Sequence, residues 1–180
     1  MEYRDAIISQ YHAALEMLKQ AIVACPEPLW HNAGDRSTFW EVAYHALFFT
    51  HLYLQESEQA FQPWPGHRAE YMGEGERPAA PPSQALVLDY LAFCQRQAAE
   101  RTADAALDAP SGVHWLPSSK FELQPYTIRH IQQHTGELMQ RLVAACAGLA
   151  HRPVVVGLGR PSVDHRGLQR LAHAGGLVYL

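Results

Sequence analysis

The residues best placed to do chemistry are two histidines in RHIQQHTGEL, His130 and His134, four positions apart. Four residues turn a helix through about 400°, so the two side chains point within about 40° of each other, one turn apart. That spacing lets two imidazoles reach one metal ion. Ile131 follows the first histidine, so this is not the H-E-x-x-H of a zinc protease, and no general base is built into the motif. A third ligand has to come from another helix. The segment TFWEVAYHALFFTHLYL offers His45 and His51, six residues apart and on different sides. His45 stands among Glu41, Leu47, Phe48 and Phe49, and an imidazole inside so apolar a stretch needs a partner. The expected metal ligands are therefore His45, His130 and His134.

Depth along the helices supports the grouping. Counted from helix starts near Ser37 and Tyr126, His45 lies about eight residues in, or ~12 Å, and His130 and His134 lie about four and eight residues in. Alternating up-and-down connectivity makes these two helices parallel and brings the three rings to one level near their N-terminal ends. Segments 26–36 and 108–125 would then form the mouth of the site, with His114, Trp115, Lys120 and Phe121 suited to a small-molecule pocket. Segment 62–82 would begin and end at the far end. The bland alternative for each histidine is a hydrogen-bonded core imidazole. The other eight show no comparable arrangement, and most are expected on the surface or in loops.

Two carboxylates are candidate catalytic or supporting groups. Glu41 precedes His45 by one turn, and Glu137 follows His130 by seven residues. Either could orient a ligand imidazole or accept a proton from water at the metal. The competing readings are that Glu41 simply favours the N-terminal end of its helix and that Glu137 pairs with Arg141 at i+4.

Four helical segments must position these groups. The first spans about Tyr3–Ala24, with Ile7, Ile8, Tyr11, Leu15, Leu18 and Ile22 on one stripe, and Pro26 and Pro28 stop it. The second starts after Ser37 as N-cap and runs to about Phe61. Residues 62–82 contain five prolines and three glycines and form a long connection, functional or a crossover. The third helix runs from about Ser83 to Leu107. A loop over 108–125, with Pro110, Pro117 and Pro125, leads to a fourth helix over Tyr126–Ala150. After His151 the pattern breaks into an irregular C-terminal tail or arm, 151–180, with at most a short helix near Val163–Ala174. The fold class is all-α, a four-helix bundle over 1–150.

Composition narrows the functions. Of 180 residues, 11 are histidine, an excess that makes metal chemistry worth testing. A net charge of −4 offers no phosphate-binding face, so nucleic acid is not an expected partner. The N-terminus fits neither a signal peptide nor a membrane span. Cys25, Cys94 and Cys146 are widely spaced, which argues for a reducing compartment, the cytoplasm, with each packed as a small hydrophobe.

The phrase PYTIRHIQQHTGELMQRL, with a histidine midway along the aromatic-rich TFWEVAYHALFFTHLYL, resembles the DinB family of DinB/YfiT-like metalloenzymes. The resemblance covers residues 1 to about 150. It implies that His45, His130 and His134 bind a divalent transition metal, nickel or zinc first, with iron and manganese as further candidates. Gln133 stands where many relatives have a further histidine, at a position pointing away from the metal. The resemblance also implies a bundle crossed by its long second connection, and a homodimer. Its members suggest thiol transfer or hydrolysis on a small molecule, with a low-molecular-weight thiol as co-substrate. A non-catalytic metal-binding stress-response module is the alternative.

Overall fold

The computed structural model describes residues 3–32, 34–73, 78 and 80–146. Among these residues the helices are α1 (Tyr3–Ala24), α2 (Glu27–Trp30), α3 (Phe39–Leu54), α4 (Gln84–Asp104) and α5 (Lys120–Cys146), with a 3-10 turn over Ala69–Met72. The fold is all-α: no strand occurs among the described residues. No described helix is long and apolar enough to cross a membrane. The expected helix at 163–174 and the tail after 150 lie outside the described residues.

Each long helix forms where an apolar stripe meets a local start signal. In α1 the stripe is Tyr11, Ala14, Leu15, Leu18, Ala21 and Ile22, all buried. The cap of α3 is Thr38, one residue after the expected Ser37, in a reciprocal box with Glu41. Ser83 caps α4 by accepting from the Leu86 amide. At α5, Ser119 and Glu122 make the same reciprocal pair: the Ser119 amide donates to Glu122, and the Glu122 amide donates to the Ser119 hydroxyl. This helix therefore starts six residues before the expected Tyr126 and runs through Pro125. Conversely, α3 ends at Leu54 rather than Phe61, because the buried Lys120 donates to the carbonyl of Gln55 and closes the helix there.

The contacts at helix ends define the topology. Gln84 Nε2 donates to the Cys25 carbonyl (2.5 Å), and Arg4 donates to the Thr102 carbonyl (2.8 Å), so α1 and α4 are antiparallel. Tyr3 packs edge-on against Phe121 and Tyr11 donates to Gln124 (3.0 Å), so α1 and α5 are parallel. Arg141 donates to the Ser37 carbonyl (2.7 Å) while Lys120 reaches Gln55. Helices α3 and α5 are therefore antiparallel, which corrects the expected parallel pairing. The physical reason is the connection between α3 and α4, whose described residues return along α3, from Phe61 against Phe48, through His67 against Tyr44, to Tyr71 against Trp40. Once it crosses, α3 and α4 run the same way and strict up-and-down alternation is broken.

The main core gathers the inner faces of α1, α3, α4 and α5 around Leu15, Tyr44, Leu47, Tyr90 and Ile131. A smaller apolar cluster of Leu52, Tyr53, Val113 and Leu123 sits where loop 105–119 meets the end of α3. Gly112 anchors that loop: its φ is +76°, and a Cβ there would collide with the Glu56 carbonyl. Its own carbonyl accepts from the Glu58 amide at 2.9 Å. Cys25 and Cys94 are buried, as expected of small hydrophobes, but Cys146 is exposed.

Candidate metal centre

Helices α3 and α5 leave one flank less covered than the rest. Along it lie Glu41, His45, Phe48 and Phe49 from α3, and Tyr126, His130, Glu137 and Arg141 from α5, all partly buried. His134 sits deeper, at 3% exposure. Antiparallel packing aligns the helix middles: His45 is the seventh of 16 residues in α3, and His130 and His134 are the eleventh and fifteenth of 27 in α5. The three histidines meet at mid-length and not near the helix N-termini.

Their Nε2 atoms converge. His130 Nε2 is 3.3 Å from His45 Nε2 and 3.1 Å from His134 Nε2. One donor nitrogen from each ring lies within 4.8 Å of the others. Two imidazole nitrogens bound to one ion at about 2.0–2.1 Å stand roughly 3.0 Å apart at a right angle and 3.3 Å apart at a tetrahedral angle. The donor set fits a divalent transition ion, with imidazole suited to zinc and nickel. Phe49 walls the site on one side, its ring centroid 4.7 Å from that of His45 and 5.9 Å from that of His130. Gln133 is exposed, consistent with a position outside the ligand set.

The two carboxylates have different surroundings. One oxygen of Glu41 accepts from both the amide (2.6 Å) and the hydroxyl (3.0 Å) of Thr38, so this group is engaged in the helix cap. Glu137 lies beside one of the three histidines: its Oε2 is 3.6 Å from His134 Nδ1. Its other oxygen accepts from Arg141, the i+4 pairing also expected.

Beyond His130 an aromatic chain leads toward loop 105–119. The Tyr53 ring is 6.4 Å from that of His130 and 5.8 Å from that of Tyr126. Trp115 and Tyr126 pack against the small cluster that holds Tyr53, and burial pushes this phenol above its ordinary range. Tyr126 and Tyr53 escaped the sequence reading, although each shares a helix face with a ligand, four residues before His130 and eight after His45.

The expected mouth is corrected. Asp35 and Ser37 lie by Arg141 at one end of the α3–α5 pair, and loop 105–119 lies by Gln55 at the other, so the two segments do not flank one opening. Only Trp115 of the expected pocket residues joins the chain to His130. Lys120 is buried against the end of α3, burial lowering its pKa; Phe121 lies against Tyr3; His114 pairs with Glu58 at 2.8 Å. Connection 55–83 does not stay at the far end.

Of the remaining described histidines, His51 departs from the expected surface location. It is 2% exposed and 3.2 Å from the Tyr90 hydroxyl. Burial first, then Arg101 and His67, bring its pKa down to about 4. His151, His165 and His173 lie outside the described residues. No family model, curated protein or solved structure matches the chain.

Proposed function

We propose that the chain is a metal-dependent enzyme built as a DinB/YfiT-like four-helix bundle, holding one divalent ion through His45, His130 and His134. The observation that carries this reading is the convergence of three Nε2 atoms at the separations two ligands of one ion adopt. Three neutral imidazoles leave at least one coordination position for a substrate, as catalytic zinc sites do and structural ones do not. When bound, such an ion supplies Lewis-acid activation of water or a thiol. The reaction class is thiol transfer or hydrolysis on a small molecule, with nickel or zinc as first choice of metal. The partial exposure of His45 and His130 favours this over a sealed, non-catalytic metal module.

The chain's own residues supply orientation and walls. Helix α5 presents two ligands from successive turns, α3 presents the third from across the groove, and Phe49 limits solvent on one side. Metal analysis on protein purified without a His tag tests the reading. One equivalent of zinc or nickel is expected. His130→Ala and His134→Ala should each abolish stoichiometric binding while circular dichroism reports near-unchanged helix content. Tight one-to-one binding in both variants overturns the site.

A further inference from the structure

One arginine touches more of the centre's surroundings than any local pattern requires. Arg141 sits one turn beyond Glu137 on α5, with its side chain 16% exposed. Its Nη2 donates to Glu137 Oε1. Its Nη1 donates to the Ser37 carbonyl at 2.7 Å and stands 3.7 Å from Asp35 Oδ2. The Asp35 side chain is 3% exposed, and a carboxylate so buried is costly unless a cation faces it. Glu137 in turn places its second oxygen 3.6 Å from His134 Nδ1. The contacts form one line, Asp35–Arg141–Glu137–His134, from the loop before α3 to a ring of the centre.

We propose that Asp35 and Arg141 are positioning residues of the three-histidine centre, holding Glu137 as the partner of the His134 ring rather than as a proton acceptor for substrate. The inference rests on the metal reading above. A glutamate on a helix flank samples several rotamers, and a guanidinium with donors in a planar fork removes that freedom. Asp35 and the Ser37 carbonyl fix the other side of the fork. With Glu137 held beside it, Nδ1 is the His134 nitrogen that faces a carboxylate, and Nε2 is the one that faces the His130 ring. One Glu137 oxygen is then held by Arg141, and the other stands 3.6 Å from Nδ1 of His134. Because Asp35 and Ser37 precede α3, the same contacts tie the helix that carries His45 to the one that carries His134.

The test uses the full chain and zinc as probe. Zinc affinity is read by competition with a chromophoric chelator, geometry by the visible spectrum of the cobalt-loaded protein, and folding by thermal melts. Glu137→Ala should weaken zinc about 10- to 100-fold, the range typical of losing such a partner. Arg141→Gln should weaken it about tenfold and shift the cobalt bands, with Arg141→Lys recovering part of the loss. In the Glu137→Ala background, Arg141→Gln should have little further effect, a non-additivity that general destabilisation would not produce. Unchanged affinity and spectrum in Arg141→Gln overturns the proposal, as does full additivity of the two changes. If Arg141→Gln fails to fold, Glu137→Gln and Arg141→Lys carry the test, and wild-type zinc affinity in both overturns it. Wild-type protein that binds no zinc or nickel overturns the metal reading itself, a result distinguishable from failure of the positioning line alone.

Discussion

A single oxygen of Glu41 accepts from both the backbone amide and the side-chain hydroxyl of Thr38, while the Glu41 amide donates back to that hydroxyl. The carboxylate one turn before a candidate ligand is therefore part of a helix start. Thr38→Ala should cost about 1 kcal/mol of stability, and Glu41→Gln, which preserves the reciprocal geometry, should cost less. Neither should change metal stoichiometry. A tenfold or greater loss of zinc affinity in Glu41→Gln at intact helix content would instead assign Glu41 a role at the metal.

Gly112→Ala should destabilise the protein by about 2 kcal/mol or more, through a left-handed backbone and a backbone collision together. Urea denaturation followed at two wavelengths checks this. A variant as stable as wild type would mean that loop 105–119 is not anchored on the end of α3 as described.

His51 makes stability depend on pH in a defined window. Its pKa is brought down to about 4 in the folded state, against about 6.5 for an unfolded histidine. Between these values the unfolded chain binds the extra proton, so the contribution is fully present above about pH 6.5 and is lost as pH falls toward 4. The loss amounts to about 3 kcal/mol over the window. Compared with wild type, His51→Gln should show a flatter stability profile between pH 6.5 and 4. Parallel profiles for the two proteins would contradict the assignment.

Trp115→Phe keeps a ring against the small apolar cluster that holds Tyr53 but removes the larger indole. Such a loss of packed ring is worth about 1 kcal/mol. A small thiol titrated into the cobalt-loaded protein should bind about fivefold differently, with metal content unchanged. Identical thiol affinity in the variant would separate loop 105–119 from the coordination site.

The ends of α1 and the cap of α4 were legible because a stripe, two prolines and a serine state them locally. The start of α5 was also written in the chain, as Ser-Lys-Phe-Glu over 119–122, but Pro125 masks it when proline is taken only as a boundary. The end of α3 is not locally written, since the group that closes it, Lys120, lies 65 residues away. The trio of converging histidines was readable from the i, i+4 pair and one histidine in an apolar run. Its placement was not: counting from a late helix start and assuming alternation gave a parallel pair at one end. The crossing connection gives an antiparallel pair that meets at mid-length. Asp35 carried no signal at all, because only the folded chain brings it to Arg141.

His45 and His130 are 85 residues apart in sequence and touch across two helices joined through the crossing connection. An ion gripped by both works as a cross-link, and a closed loop of that length is worth about 4.5 kcal/mol in the chain-entropy account of disulfides. The loop it closes contains all of α4 and the whole connection over 55–83. Metal occupancy would then set how often that half of the chain opens, so amide hydrogens of α4, remote from the imidazoles, would exchange more slowly when the ion is bound.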